Sequence, residues 1–236
     1  MDTPCPLASF PADGCAVVVG AAGGIGGALA QALTASGRFT TVHGLNRRDL
    51  DLEDEASIAA AAARLAEPPR LVIVATGLLH GQGVTPEKAL RAIEPAALLK
   101  SYAINAVGPA LVAKHFTPLF PRAGKATFAA LSARVGSLGD NRLGGWHGYR
   151  ASKAALNMLL RNVAIELART RPDAVCLALH PGTVDTGLSA PFQTGVPDER
   201  LFTPAFSAGR LLQVIDRRGP DDSGRVFDWA DEPVPW

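Results

Sequence analysis

Tyr149 and Lys153 are the residues of this 236-residue chain whose types and spacing point most directly to chemistry. Four positions apart in an alanine-rich, helix-forming stretch, they fall on one helix face. A phenol ionises near pH 10 in water, and an ammonium beside it favours the phenolate, so the pair is suited to passing a proton at working pH. Asn105 carries a second signal, because Pro109 stands four residues later without a backbone N–H. In a continuous helix the Asn105 carbonyl loses its partner there, and if buried it needs another donor, for which an ordered water is suited.

A third constellation, Gly20-Ala21-Ala22-Gly23-Gly24-Ile25-Gly26, follows the apolar run Ala16 to Val19 and precedes the helical periodicity of Leu29, Ala32 and Leu33. Strand, glycine turn and helix in that order bring backbone N–H groups and the positive end of a helix dipole against a pyrophosphate. The expected ligand is a dinucleotide. At the end of the second strand, Asn46-Arg47-Arg48 offers two guanidiniums and no carboxylate, which attracts a 2'-phosphate and favours NADP over NAD.

Positioning these groups requires an alternating chain. Strands are predicted at 16–19, 40–45, 71–75, 125–131, 174–180 and 225–229, and helices at 24–36, 57–66, 96–120, 149–170 and 203–217. The strands are apolar nearly throughout, as strands covered on both faces should be. Helices between strands make crossover connections, so the expected class is α/β: one Rossmann domain over 1–236, a doubly wound and mostly parallel sheet with helices on both faces. Residues 1–14 read as an N-terminal extension. The composition, 47% hydrophobic and 19% charged, is globular, and a net charge of +1 provides no single-sign field for nucleic acid or an anionic membrane. Cys5, Cys15 and Cys176 form no disulfide or metal spacing, which fits a reducing, cytoplasmic setting with no metal. The uncharged stretch 15–37 contains six glycines plus Gln31, Thr34 and Ser36, which argues against a membrane span.

Taken in order, the motifs resemble the short-chain dehydrogenase/reductase family over nearly the whole chain. They are Gly20-x3-Gly24-x-Gly26, Thr76-Gly77, Asn105, Tyr149-x3-Lys153 and Pro181-Gly182-Thr183-Val184-x-Thr186. Asp140-Asn141-Arg142 and the ending from Phe227-Asp228 to Pro235-Trp236 resemble more loosely its C-factor-like bacterial branch. The resemblance implies an NADP-dependent oxidoreductase that moves a hydride between nicotinamide and a small or medium carbonyl/alcohol substrate. Tyr149 is then the acid/base, Lys153 also holds the nicotinamide ribose, and Asn105 places a proton-relay water. It further implies cofactor contacts from Gly20, Ala22, Gly24, Ile25 and Gly26, from Asp51 and Leu52 at the adenine, and from Ala75, Thr76 and Gly77 at its ribose. Pro181, Val184 and Thr186 complete the set near the nicotinamide and phosphates. A homodimer or homotetramer paired through the long helices and a substrate lid over 187–202 also follow from it.

Two departures stand out. Ala22 and Gly23 occupy positions where NADP-using relatives often carry Ser and Arg. After the fourth strand relatives carry paired serines, the second donating a hydrogen bond to the substrate oxygen, whereas this chain reads Leu131-Ser132-Ala133-Arg134-Val135-Gly136. Ser132 is one residue early and faces the other way in a continuing strand, and Ser137 reaches the site only if the loop folds back. Loss of such a donor leaves a second reading open: a dinucleotide-binding regulatory or signalling protein with little turnover. Trp146, Phe192 and Phe202 fit either the lining of a substrate pocket bordered by 78–85 or the ordinary core. His147 and His180 are expected to pack or cap.

Overall fold

Five consecutive apolar residues, Cys15–Val19, leave no face of a strand suited to water, so β1 belongs inside a sheet covered on both sides. The computed structural model describes residues 7–236, and Asp2 and Cys5 lie outside the described residues. β1 is flanked by β2 (Thr41–Leu45) and β3 (Pro69–Val74), followed outward by β4 (Ala126–Leu131), β5 (Ala174–His180) and β8 (Val226–Asp228). The order is β2-β1-β3-β4-β5-β8 and every pairing is parallel, as the alternating pattern requires.

The residues of β1 alternate between two cores. Cys15, Val17 and Val19 face α2 (Glu55–Ala63), α4 (Gly108–Phe116) and α5 (His147–Thr170), which contribute Ile58, Phe116, Leu156 and Leu160. Ala16 and Val18 face α1 (Gly24–Ser36) and α6 (Pro204–Arg217), which contribute Leu29, Leu33, Leu211 and Ile215. Leu7 and Phe10 are buried in this second core, so the described part of the N-terminal extension is packed against the domain. Residues 15–37 are thus a core strand and a covering helix.

The single helix expected over 96–120 is segmented. It runs as α3 (Pro95–Tyr102), a π-turn (Ala103–Val107), α4 and a 3-10 turn (Thr117–Leu119). Pro109 removes the N–H that the Asn105 carbonyl would receive, and the ladder shifts register so that Gly108 N–H bonds the Ala103 carbonyl. Pro95–Leu119 is long and apolar enough to span a membrane by length and composition, but Ser101, Asn105, Val112 and Phe116 of it are buried in this fold. α2 begins earlier than expected because Asp54 caps it, its carboxylate accepting the Ala56 N–H at 3.0 Å. Two residue pairs too short to show a period, β6 (Thr183–Val184) and β7 (Leu201–Phe202), form a separate parallel ladder.

The turn after β1 depends on two glycines. Gly20 has φ 89°, and a Cβ on Gly26 would lie 2.2 Å from the Gly20 carbonyl oxygen. Gly26→Ala should therefore lower stability by about 2–3 kcal/mol in urea denaturation. Gly209→Ala, on α6 with open space at its Cβ, should stabilise by roughly 0.5–1 kcal/mol. Equal effects at the two sites would show that the turn does not need its close approach.

Candidate active site

The C-terminal ends of β1, β3, β4 and β5 open onto three neighbouring cavities, where an open parallel sheet places its ligands. The first, about 410 Å³, is lined by Gly20, Gly24, Ile25, Ala75, Thr76, Gly77, Tyr149, Lys153, Pro181 and Thr186, all expected site residues. The third, about 220 Å³, adds Ala22, Asn46, Arg47, Asp51 and Leu52, and shares Gly20, Thr76 and Gly77 with the first. The second, about 340 Å³, takes in Ile25, Ala133, Trp146, Tyr149, His180, Pro181, Val184, Thr186 and Phe192. Gly26, Arg48 and Asn105 line none of them: Gly26 is packed beneath the turn, Arg48 is exposed, and Asn105 is buried behind the site.

The first and third cavities suit a dinucleotide. α1 starts at Gly23 with no side-chain cap and no acidic residue in its first turn, which leaves N–H groups for an anion. A Cβ on Gly24 would lie 2.7 Å from Thr186 Cγ2, so glycine here lets the segment after β6 come close to the helix start. Thr76 Oγ1 is buried with no hydrogen-bond partner, a polar atom suited to a ligand hydroxyl or amide. At the far end Arg47 reaches Asp51 (3.6 Å), Glu53 (3.3 Å) and Gln82 (3.5 Å), and Lys100 also grips Glu53. Glu53 was not anticipated, and it gives Arg47 competing acidic partners at the rim.

On α5, Tyr149 and Lys153 share a face as expected, but their coupling differs from the expectation. Lys153 Nζ is buried, donates to the Leu131 carbonyl at 2.7 Å and lies 5.8 Å from the Tyr149 ring centre. Burial pushes the Tyr149 phenol up to about 12 and the Lys153 ammonium down to about 8. Desolvation alone sets the direction of the phenol's shift, and Lys153 Nζ is turned toward the end of β4. Asn105 works through its side chain: Oδ1 accepts the Leu78 N–H at 2.7 Å, and Nδ2 donates to the Leu78 carbonyl (2.8 Å) and Ser152 Oγ (3.1 Å). Ser152 in turn donates to the Tyr149 carbonyl at 2.8 Å.

Neither serine offers its hydroxyl where Ala133 stands. Ser132 borders the cavities, but its hydroxyl donates to Asn157 Oδ1 at 2.6 Å, and buried Ser137 accepts the Asp140 N–H at 3.1 Å. Asn157 and Ser152 escaped the sequence reading, although Asn157 lies four residues beyond Lys153 on the same face. In the second cavity Trp146 and Phe192 meet edge to face at 5.1 Å, and Trp146 meets Tyr149 at 6.3 Å. The segment after β6 is fastened here by His80 Nε2 against the Gly187 carbonyl (3.1 Å). Phe202 does not line it; its ring packs on Trp229 (4.4 Å) and Phe206 (4.8 Å). His180 lines the second cavity rather than serving as a cap, its Nδ1 is buried without a partner, and burial holds its pKa down to about 4.

Residues 14–196 match the family model of short chain dehydrogenases. The C-signal protein of Myxococcus xanthus is 38% identical over 149 residues, spanning 63% of this chain and 84% of the relative. A 1-hydroxy-2-glutathionyl-2-methyl-3-butene dehydrogenase of Rhodococcus sp. (strain AD45) is 34% identical over 178 residues, 75% of this chain and 74% of that one. Among solved structures, the NADPH-bound carbonyl reductase from chicken fatty liver superposes with a TM-score of 0.79 at 24% identity, covering 100% of each chain.

The buried ammonium has a signature of its own. Between about pH 8 and 10.5 the unfolded chain keeps the Lys153 proton while the native state loses it, so this group makes stability rise with pH through that window. The rise amounts to roughly 3 kcal/mol at most. Lys153→Met should flatten it in urea denaturation at stepped pH. An unchanged profile would show that Lys153 is not desolvated.

Proposed function

Because the chain belongs to the short chain dehydrogenase family, whose members are NAD(P)-dependent oxidoreductases, we propose that it uses NADPH to reduce a small or medium apolar carbonyl compound. One observation carries this reading: Tyr149 lines both the glycine-turn cavity and the aromatic-walled second cavity. A phenol at that junction reaches a substrate oxygen on one side while the cofactor occupies the other. NADPH, when bound, supplies the hydride.

The chain's own residues then have distinct tasks. The uncapped start of α1 receives the pyrophosphate, Thr76 offers its unpartnered hydroxyl, and Arg47 meets the 2'-phosphate by leaving its acidic neighbours. Tyr149, kept neutral by burial, donates its proton to the substrate oxygen as the alcohol forms. Lys153, fixed by the Leu131 carbonyl, lies at the floor of the first cavity with its charge available to the nicotinamide ribose. Trp146, Phe192, Val135 and Leu79 give the second cavity apolar walls suited to a ring-bearing or branched ketone. The same reading makes the protein a cytoplasmic homodimer or homotetramer, with the exposed Leu99, Val107, Met158 and Ile165 of the long helices available for pairing. The 187–202 segment serves as its lid.

Cofactor choice follows from Arg47 reaching the third cavity while Arg48 does not. Arg47→Ala should weaken NADPH binding about tenfold or more in fluorescence titration with little change for NADH, and Arg48→Ala should change neither more than about twofold. Comparable losses for both cofactors would remove the 2'-phosphate role.

Ala133 provides the second test. Ala133 has an extended backbone (φ −151°, ψ 147°) and lines the cavity that Tyr149 shares, so a serine there adds a donor without strain. Ala133→Ser should raise kcat by about tenfold or more, a fraction of the 10²–10³ that such donors contribute elsewhere. The assay is NADPH oxidation by absorbance across aromatic and aliphatic ketones. Tight NADPH binding by the parent with turnover appearing only in the serine variant would overturn the reductase reading.

A further inference from the structure

Tyr149 is the third residue of α5, a 24-residue helix whose N-terminus lacks a cap of its own. Trp146, at the cap position, has a left-handed backbone (φ 49°) and no side-chain acceptor. The acceptors come from Glu87, 61 residues earlier: its carboxylate takes the Gly148 N–H at 3.1 and 3.3 Å, and its carbonyl takes the Trp146 N–H at 2.5 Å. Glu87 is 6% exposed. Burying a carboxylate is costly unless donors surround it, and the positive end of a long helix is one place where the charge is accommodated. A serine at the cap position would satisfy the same N–H without that cost. Joining the loop from Leu78 to Glu87 onto the start of α5 is what the longer connection adds, and Asn105 fastens the loop's other end at Leu78.

The consequences reach both cavities, although Glu87 lines neither. A Cβ on Gly148 would come within 3.0 Å of Glu87 Oε1 and 3.1 Å of Leu98, so the glycine permits this close seat. Trp146, held through its N–H, packs on both Tyr149 and Phe192. A shift of this turn therefore moves the phenol and the wall of the second cavity together. We propose that Glu87 is a positioning residue that fixes the aim of the Tyr149 phenol, acting through the Trp146 and Gly148 amides.

The proposal rests on the reductase reading, since Tyr149 is the acid there. Its test combines NADPH titration by fluorescence with steady-state NADPH oxidation, using the best ketone of the panel above. Glu87→Ala should lower kcat by about 10- to 100-fold, the scale of a small misplacement, with the NADPH Kd within about threefold. Glu87→Gln keeps an oxygen for the Gly148 N–H and should recover kcat to within about threefold of the parent. If the alanine variant does not fold, Glu87→Asp decides, because it keeps the charge and withdraws the acceptor by one methylene. Unchanged kcat in Glu87→Ala or Glu87→Asp, or equal losses of kcat and NADPH affinity in every variant, would overturn the positioning role alone. A parent that oxidises no NADPH would overturn the reductase reading and this proposal with it.

Discussion

A buried ammonium must find an acceptor, and the hydrogen bond from Lys153 to the Leu131 carbonyl is the constraint around which the site is arranged. A parallel strand ending inside the protein leaves a carbonyl beyond its last partner, and β4 offers one at the sheet's C-terminal edge. The bond ties α5 to the sheet and fixes how far along the helix every other side chain falls. Gly136 shows how close the contact is: a Cβ there would lie 2.8 Å from Lys153 Cβ and 2.9 Å from its carbonyl carbon. The turn after β4 therefore packs directly on the helix, and Tyr149, one turn earlier, is carried to the junction of the cavities.

Around that bond the buried polar groups are paired in sequence. Ser132 is held by Asn157, and Asn105 connects Leu78, in the loop after β3, to Ser152 and so to the Tyr149 carbonyl. Each partner is itself satisfied, which is the condition under which a polar network in a low-dielectric interior adds rigidity. Among the described residues four buried side-chain atoms have no partner: Thr76 Oγ1 and His180 Nδ1 belong to residues that line the site's cavities, whereas Thr127 Oγ1 and Arg218 Nε lie away from them. Paired atoms behind the site and unpaired atoms along its walls are what a preorganised binding surface needs.

The layers were legible in the sequence because strands covered on both faces read as unbroken apolar runs, and β5 was placed at both its ends. The glycine turn, Tyr149 and Lys153 were legible because their chemistry imposes short fixed spacings. What was missed depends on partners remote in sequence. Nothing near Glu87 signals that it meets an amide 61 residues away, and nothing near Glu53 signals that it meets Lys100, 47 residues away. The π-turn was half legible: Pro109 marked where the ladder fails, but the extra residue absorbed before Gly108 is a packing outcome. Phe202 was open between cavity and core because an aromatic near a cleft fits both, and Trp229, directly after β8, draws it into an aromatic cluster away from the cavity.

The acidity of Tyr149 and the side chain at Ala133 bear on one another. With burial pushing the phenol up to about 12, Tyr149 stays protonated at neutral pH. Such a group is ready to give a proton, the part that the proposed reduction asks of it. A weak acid gains most where its hydrogen bond to the developing oxyanion is not diluted by water. Ala133 and the aromatic pair Trp146 and Phe192 provide such a wall beside it. A serine at 133 would add a donor and bring with it a hydroxyl that also has to be solvated. The methyl group instead leaves the oxygen's stabilisation to one phenol, and the demand on that phenol's exact placement rises accordingly. In such a site the fixing of α5 at both its sheet end, through Lys153, and its N-terminus, through Glu87, becomes part of the chemistry.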